Sequence, residues 1–228
     1  MIKQAIVGFT LLTSCTIAQA LPVVQFSDFI NDGTRTHFNG FEGIPNDGTL
    51  YTNGNSAYIE DGIAVQQING DAGNDIWVTY TGSHHQGSYS WYPNGGDNGY
   101  TQISRSGGLN FEDVGMLIGS GFGQASNVFY ELLSNGISVL SGSFTPSSNQ
   151  YLGFSGGGFD KILLADCSGC DSLTTSVTDG HFQALALDSI ELSGTVPEPT
   201  SLALLAAGLM GLGWRNRKTS LNSTTISA

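Results

Sequence analysis

The segment from Leu21 to about Thr195 predicts an all-β fold, an antiparallel β-sandwich, and three observations carry the prediction. Its 28 glycines fall among short runs in which apolar and polar residues alternate, the two-residue period of half-buried strands. No stretch holds a 3.6-residue apolar period for three turns. Gly, Asn and Asp interrupt the runs at short intervals, as turns between short strands require. A body of about 175 residues built in this way fits a sandwich of roughly ten strands around one core.

In chain order, the first element is MIKQAIVGFTLLTSCTIAQA, residues 1–20. It carries one lysine, an apolar stretch from Ala5 to Leu12, and the small-residue pattern Ala18-Gln19-Ala20. That is the layout of a secretory signal peptide cut after Ala20, which implies the Sec translocon and signal peptidase as partners. Leu12-Thr13-Ser14-Cys15 also resembles a lipobox, in which Cys15 would be lipidated. The Ala-x-Ala site and a second membrane-seeking segment at the other end favour the ordinary signal.

Within the body, Ala57-Tyr58-Ile59, Ile63-Ala64-Val65, Asp75 to Tyr80, Val128-Phe129-Tyr130 and Ile137 to Leu140 read as strands between turn residues. A weak internal echo joins Phe111 to Met116, Phe159 to Leu164 and Leu187 to Leu192. Each opens on an apolar residue followed by an acid, and the spacing puts each acid at a bend or bulge where a strand begins. No solenoid repeat is present.

Charge is distributed unevenly along the chain. Between Leu21 and Thr195 only Arg35, Arg105 and Lys161 are basic, against 18 carboxylates, so the body carries 3 − 18 = −15. Phosphate backbones are bound by neutralising them with Lys and Arg, so nucleic acid is excluded as a partner. Export would place Cys167 and Cys170, in Cys-Ser-Gly-Cys, outside the reducing cytoplasm. Two cysteines cannot complete a zinc site, and Asp171 stands where a haem attachment would need histidine. A small loop-closing disulfide is expected, with a free dithiol as the alternative.

The chain ends on VPEPTSLALLAAGLMGLGWRNRK, Val196 to Lys218. Pro197 and Pro199 mark where the body stops, and Pro199 suits the first turn of a short hydrophobic helix. From Leu202 to Trp214 there are 13 residues without formal charge, about 20 Å as a helix against a hydrocarbon thickness of about 30 Å. Arg215, Arg217 and Lys218 would stay on the cytoplasmic side, leaving the body facing outward. The segment reads as a brief inner-membrane stop, and residues 219–228 as a polar tail.

Val196-Pro197-Glu198-Pro199, the Leu/Ala/Gly run and the basic end resemble the PEP-CTERM protein-sorting signal. The same motif is also catalogued as an ice-binding protein C-terminal domain. The resemblance implies a Gram-negative bacterium whose exosortase, a membrane protease-transpeptidase, recognises and cleaves the tail. Ice binding itself would call for a regular Thr array, which the chain lacks.

The body resembles sandwich domains often joined to such tails, which are similar to carbohydrate-binding jelly rolls. The segments that carry this likeness are SWYPNGGDNGYTQI, FEDVGMLIGSGF, YLGFSGGGFDKILLAD and ALALDSIEL. It implies that an early acid and an acid on the last strand meet at a calcium ion, here Glu42 and Asp188, with ordinary turn acids as the alternative. In TGSHHQGSYSWYPNGGDNGYTQI the residues Trp91, Tyr92 and Tyr100 stand among glycines and asparagines. Sugar rings present apolar faces that lie on aromatic rings, so these three are candidate carbohydrate contacts, with core packing as the alternative, above all for Trp77. His84 and His85 are adjacent and point apart if extended, a poor metal pair.

No nucleophile elbow, zinc-protease helix or phosphate loop appears, so no catalytic residue is assigned. The expectation is an exported, exosortase-sorted protein of the cell surface or exopolysaccharide matrix, transiently held in the inner membrane and acting by non-catalytic adhesion or carbohydrate contact. A secreted hydrolase acting on polysaccharide and a purely structural matrix protein are the alternatives.

Overall fold

The structure, a computed structural model, describes residues 21–26, 34–43, 51–52, 56–68, 77–79, 87–91, 99–119, 127–147, 150–167, 169–173 and 185–194. Its strands are β1 (Val23–Gln25), β2 (Arg35–Asn39), β3 (Tyr51–Thr52), β4 (Tyr58–Glu60), β5 (Ile63–Ile68), β6 (Trp77–Thr79) and β7 (Ser90–Trp91). They continue with β8 (Tyr100–Arg105), β9 (Asp113–Gly119), β10 (Val128–Ser134), β11 (Ile137–Phe144), β12 (Gln150–Ser155), β13 (Lys161–Asp166) and β14 (Ala186–Ser193). The described residues are all-β and contain no helix.

Two antiparallel sheets form. One runs β1-β12-β9-β14-β7-β6-β3, with β2 sharing the far side of β14 with β7. The other runs β11-β10-β13-β8-β5-β4. The expected strand segments fall in β4, β5, β6, β10 and β11. Two hairpins turn on Asp61-Gly62 and Asn135-Gly136, with φ of 45° and 75° in the first and 51° and 81° in the second. Positive φ at both turn residues matches the right-handed twist of the flanking strands, which is why Asp-Gly and Asn-Gly occupy these positions.

Alternate residues of the sheets face one another and exclude water. Ile63, Val65 and Ile103 from one sheet join Val114, Met116, Ile118, Leu152, Phe154, Ile190 and Leu192 from the other in a single core. Two crossings close its end. Residues 106–112 lead from β8 into β9, and residues 156–160 lead from β12 into β13. The crossings pair with each other through an isolated antiparallel bridge, Phe111 to Phe159.

The acids of the internal echo sit where strands start or bend. Glu112 precedes β9, Asp160 precedes β13, and Asp188 stands at a register shift between Asp188 and Glu191 on β14. Ser189, inside that bulge, has a φ of 49°.

Register places both ends of the described body at one pole. Val23 pairs with Ser155, Phe154 with Val114, and Asp113 with Ser193. Leu21 and Gly194 therefore leave the same end of the sheet, three strand spacings apart, roughly 14 Å. The hairpins at Asp61-Gly62 and Asn135-Gly136 and the paired crossings lie at this pole too.

At the opposite pole the outer face of the second sheet is covered. Cys167 and Cys170 form a disulfide just after β13. The chain then folds back so that Leu173, fully buried, packs with Tyr100, Phe129, Leu133, Leu163 and Ala165. Buried Glu131 holds this flap, its carboxylate accepting hydrogen bonds from Leu173 N at 2.9 Å and Ser172 Oγ at 3.1 Å. A buried carboxylate is tolerated because charge-assisted donors replace its water.

Several expectations lie outside the described residues. They are the signal peptide with Ala18, Ala20 and Cys15; His84, His85 and Tyr92; the tail with Val196, Pro197, Glu198, Pro199, Arg215, Arg217 and Lys218; and residues 219–228.

Candidate functional site

The aromatic platform expected from Trp91 and Tyr100 is not a surface. Trp91 is 0% exposed, lies in the main core, and donates its indole N–H to Thr101 Oγ1 at 3.3 Å. Its backbone pairs with Leu187 on one side and Val78 on the other, which carries the ring inward. Tyr100 is buried in the cluster under the flap, where burial, and then the charge of Glu131, push its phenol above its ordinary range. Glycine-rich surroundings suggested exposed rings, but long-range strand pairing decides their burial.

Glu42 follows Phe41, which adopts a φ of 62° at the end of β2. Its Oε1 accepts the backbone N–H groups of Ser88 at 2.6 Å and Tyr89 at 2.7 Å, so it fastens the segment leading into β7. Asp188 is fully buried on β14, and its Oδ1 accepts the N–H of Ser189 at 2.6 Å. The register of β2 on β14, with Asn39 opposite Ile190, brings the end of β2 alongside this bulge. Ser189 Oγ is buried and has no hydrogen-bond partner among the described residues. Among those residues no group of three or more His, Cys, Asp or Glu side chains stands close enough to hold a metal.

A different site forms at the pole from which the chain ends emerge. A cleft of about 230 Å³ opens between the start of β2, the end of β8, the start of β9 and the end of β14. Thr36, His37, Arg105, Glu112, Asp113 and Ser193 supply its polar groups, and Phe111 and Leu192 its apolar floor. Asp113 is oriented by Ser193 Oγ at 3.3 Å and, more weakly, by Gly156 N at 3.4 Å. Arg105 is steadied by donating to the Asn110 carbonyl at 3.0 Å. His37 Nδ1 stands 3.4 Å from Asp61 Oδ1, and the other oxygen of Asp61 accepts Phe38 N at 2.8 Å.

Beside the cleft, Arg35 bonds Glu191 at 3.1 Å and lies over the Phe38 ring at 4.4 Å. That side chain is held by a carboxylate and a ring, whereas Arg105, bonded to a backbone carbonyl, lines the cleft. A small concave site that mixes fixed acceptors, a guanidinium and hydroxyls over an apolar floor can bind a hydroxyl-rich ligand by donating and accepting at once.

Sequence reading did not find this cleft, because its residues come from four separated segments with no shared motif. The scarcity of basic residues was the usable signal, since Arg105 is one of three in the body.

Comparison with protein-family models gives a match at residues 195–218 to the PEP-CTERM protein-sorting motif. The match begins one residue after Gly194, which lines the cleft. The motif implies export, recognition by exosortase and a cell-surface or outer location. Comparison with curated proteins gives no match.

Proposed function

From a sorting motif that begins where the last strand ends, we propose an exosortase-sorted protein of the bacterial surface or exopolysaccharide matrix that makes non-catalytic contact with a hydroxyl-rich polysaccharide. The observation that carries the reading is the cleft of Arg105, Glu112, Asp113 and Ser193 beside the root of the tail. Its size suits one sugar residue rather than a long chain segment, so the contact is to a terminus or branch. Glu112 and Asp113 enter from one segment of chain, which favours a binder over a hydrolase, whose two carboxylates must flank the scissile bond.

Calcium at Glu42 and Asp188 belongs to the same proposal. It is supported by the buried carboxylate of Asp188 and by the hydroxyl of Ser189 next to it, which has no partner among the described residues. The two amides already held by Glu42 weigh against a share for that residue. Added calcium is expected to raise the melting temperature and a chelator to lower it. A melting temperature indifferent to both removes the metal from the proposal.

Binding is tested on a glycan array and on exopolysaccharide from the host, using wild-type protein, Arg105→Ala and Glu112→Ala. Each substitution is expected to weaken binding about tenfold or more, the loss of a charge-assisted hydrogen bond. Absence of binding by well-folded wild-type protein, or unchanged binding by both variants, overturns the carbohydrate reading. Sorting is tested by mass spectrometry of protein recovered from the host, where a C-terminus inside residues 195–218 is expected. Recovery of secreted material intact through Ala228 overturns it.

A further inference from the structure

The sheet edges of this molecule differ in charge. From Leu132 to Phe159 the chain contains no Asp, Glu, Lys, Arg or His, and neither does Leu21 to Phe26. These two stretches supply β11, β12 and β1. In the fold they come together, because β1 ends one sheet, β11 ends the other, and Phe26 meets Phe144 with ring centroids 4.9 Å apart. Among the described residues, one side of a body with a charge of −15 is therefore built from uncharged strands, and β1 and β11 stand there as the ends of their sheets.

That side is also apolar where it meets water. Ile137 is 70% exposed and Val23 56%, and Phe26 and Val139 are exposed with them. Open edges present unpaired N–H and C=O groups, and proteins ordinarily guard them with charges, prolines or bulges. β11 has neither charge nor proline. Its ladder with β10 slips between Leu132 and Leu133, opposite Val139, which leaves Leu140 to Phe144 as an unbroken run.

The sequence of that run, Leu140-Ser141-Gly142-Ser143-Phe144, is close to symmetric about Gly142. An antiparallel twofold centred there sets Leu140 opposite the partner's Phe144 and Ser141 opposite the partner's Ser143. A twofold contact must be self-complementary, and this run pairs apolar with apolar and hydroxyl with hydroxyl.

We infer that β11 is a homotypic docking edge, pairing antiparallel with β11 of a second copy to join two six-stranded sheets into one. The occupant is a second copy because the run is self-complementary about Gly142, and two bodies so acidic, which repel each other through their charged faces, meet with little of that penalty through this uncharged side. The inference is independent of the cleft, which lies on other strands.

The test is sedimentation of the protein as its host releases it, over a range of concentration and salt. Wild type is expected to pass from monomer to dimer as concentration rises. Salt should strengthen the dimer by screening the remaining repulsion, whereas a contact made of ion pairs would weaken. Ser141→Lys with Ser143→Lys puts charge on the open edge without touching the core, and the expected effect is dimerisation at least tenfold weaker. Leu109→Lys, at an exposed turn away from the edge, adds the same kind of charge and is expected to change nothing. Wild type that stays monomeric throughout overturns the inference. So does an oligomer that the paired lysines leave intact.

Discussion

Phe111 and Phe159 hold the two sheets together at one pole. Phe111 N donates to the Phe159 carbonyl at 2.8 Å, and their rings stack with centroids 5.4 Å apart and planes 23° from parallel. Each residue stands near the end of a crossing between sheets. The pair therefore ties both crossings with a backbone bond and a ring contact, beside a second backbone bond from Gly157 N to the Glu112 carbonyl at 3.0 Å. Both side chains are at most 1% exposed, and Phe159 also meets Phe154 edge-on. Phe159→Ala should cost about 3–5 kcal/mol, the range for a buried aromatic whose site cannot collapse. Urea denaturation checks it, and a loss under about 1 kcal/mol would mean that the crossings stand without the pair.

Gln67 offers the opposite case. It is buried on β5, and neither its Oε1 nor its Nε2 has a partner among the described residues. An amide stripped of water and left unpaired costs about 1–3 kcal/mol, so Gln67→Leu should stabilise the fold by a similar amount. A thermal scan would show a higher midpoint. A lower one would identify a partner for the amide in the folded protein.

High pH should loosen the flap. Burial holds Tyr100 and Tyr130 in the neutral form, and Glu131 adds repulsion of a Tyr100 phenolate, so both phenols titrate above the ordinary value of about 10. A folded-state pKa above the unfolded one means that stability is full below about pH 10 and declines as pH climbs through the raised folded values. Glu131→Gln, which keeps an acceptor for Leu173 N, should bring the Tyr100 titration partway back. Absorbance of the phenolate against pH would record the change, and an unmoved titration would remove the charge of Glu131 as a cause.

Reduction acts on the same flap by another route. The Cys167–Cys170 link closes a short loop, worth about 2 kcal/mol on a chain-entropy basis. Dithiothreitol should therefore lower the melting temperature by about 4–8 °C for a body of this length. Tyr100 fluorescence should change together with it. Retention of the full melting temperature after proven reduction would mean that Glu131 and Leu173 hold the flap without the link.

Local chemistry made the sandwich readable. Asp61-Gly62 and Asn135-Gly136 announce hairpins because few other residues accept their backbone angles, and β10 and β11 follow from the apolar runs on either side of one such turn. Trp91 and Tyr100 were harder to assign. Their neighbours are turn formers, and only pairing with Leu187 and packing beneath Leu173 bury them, contacts spanning 96 and 73 positions of sequence. Arg105, Glu112 and Ser193 meet for a similar reason: the ends of β8, β9 and β14 share a pole, which no short spacing reveals.

β14 joins the sorting motif directly, and it runs through the middle of its sheet with β9 on one side and β2 and β7 on the other. A pull on the tail is directed along that strand. Its hydrogen bonds on both flanks are then loaded together in shear, instead of opening one after another as at a peeled edge. Such a body resists being torn from its tether by flow or drag in proportion to the whole length of β14, and its mechanical strength is set by the strand that bears the tail.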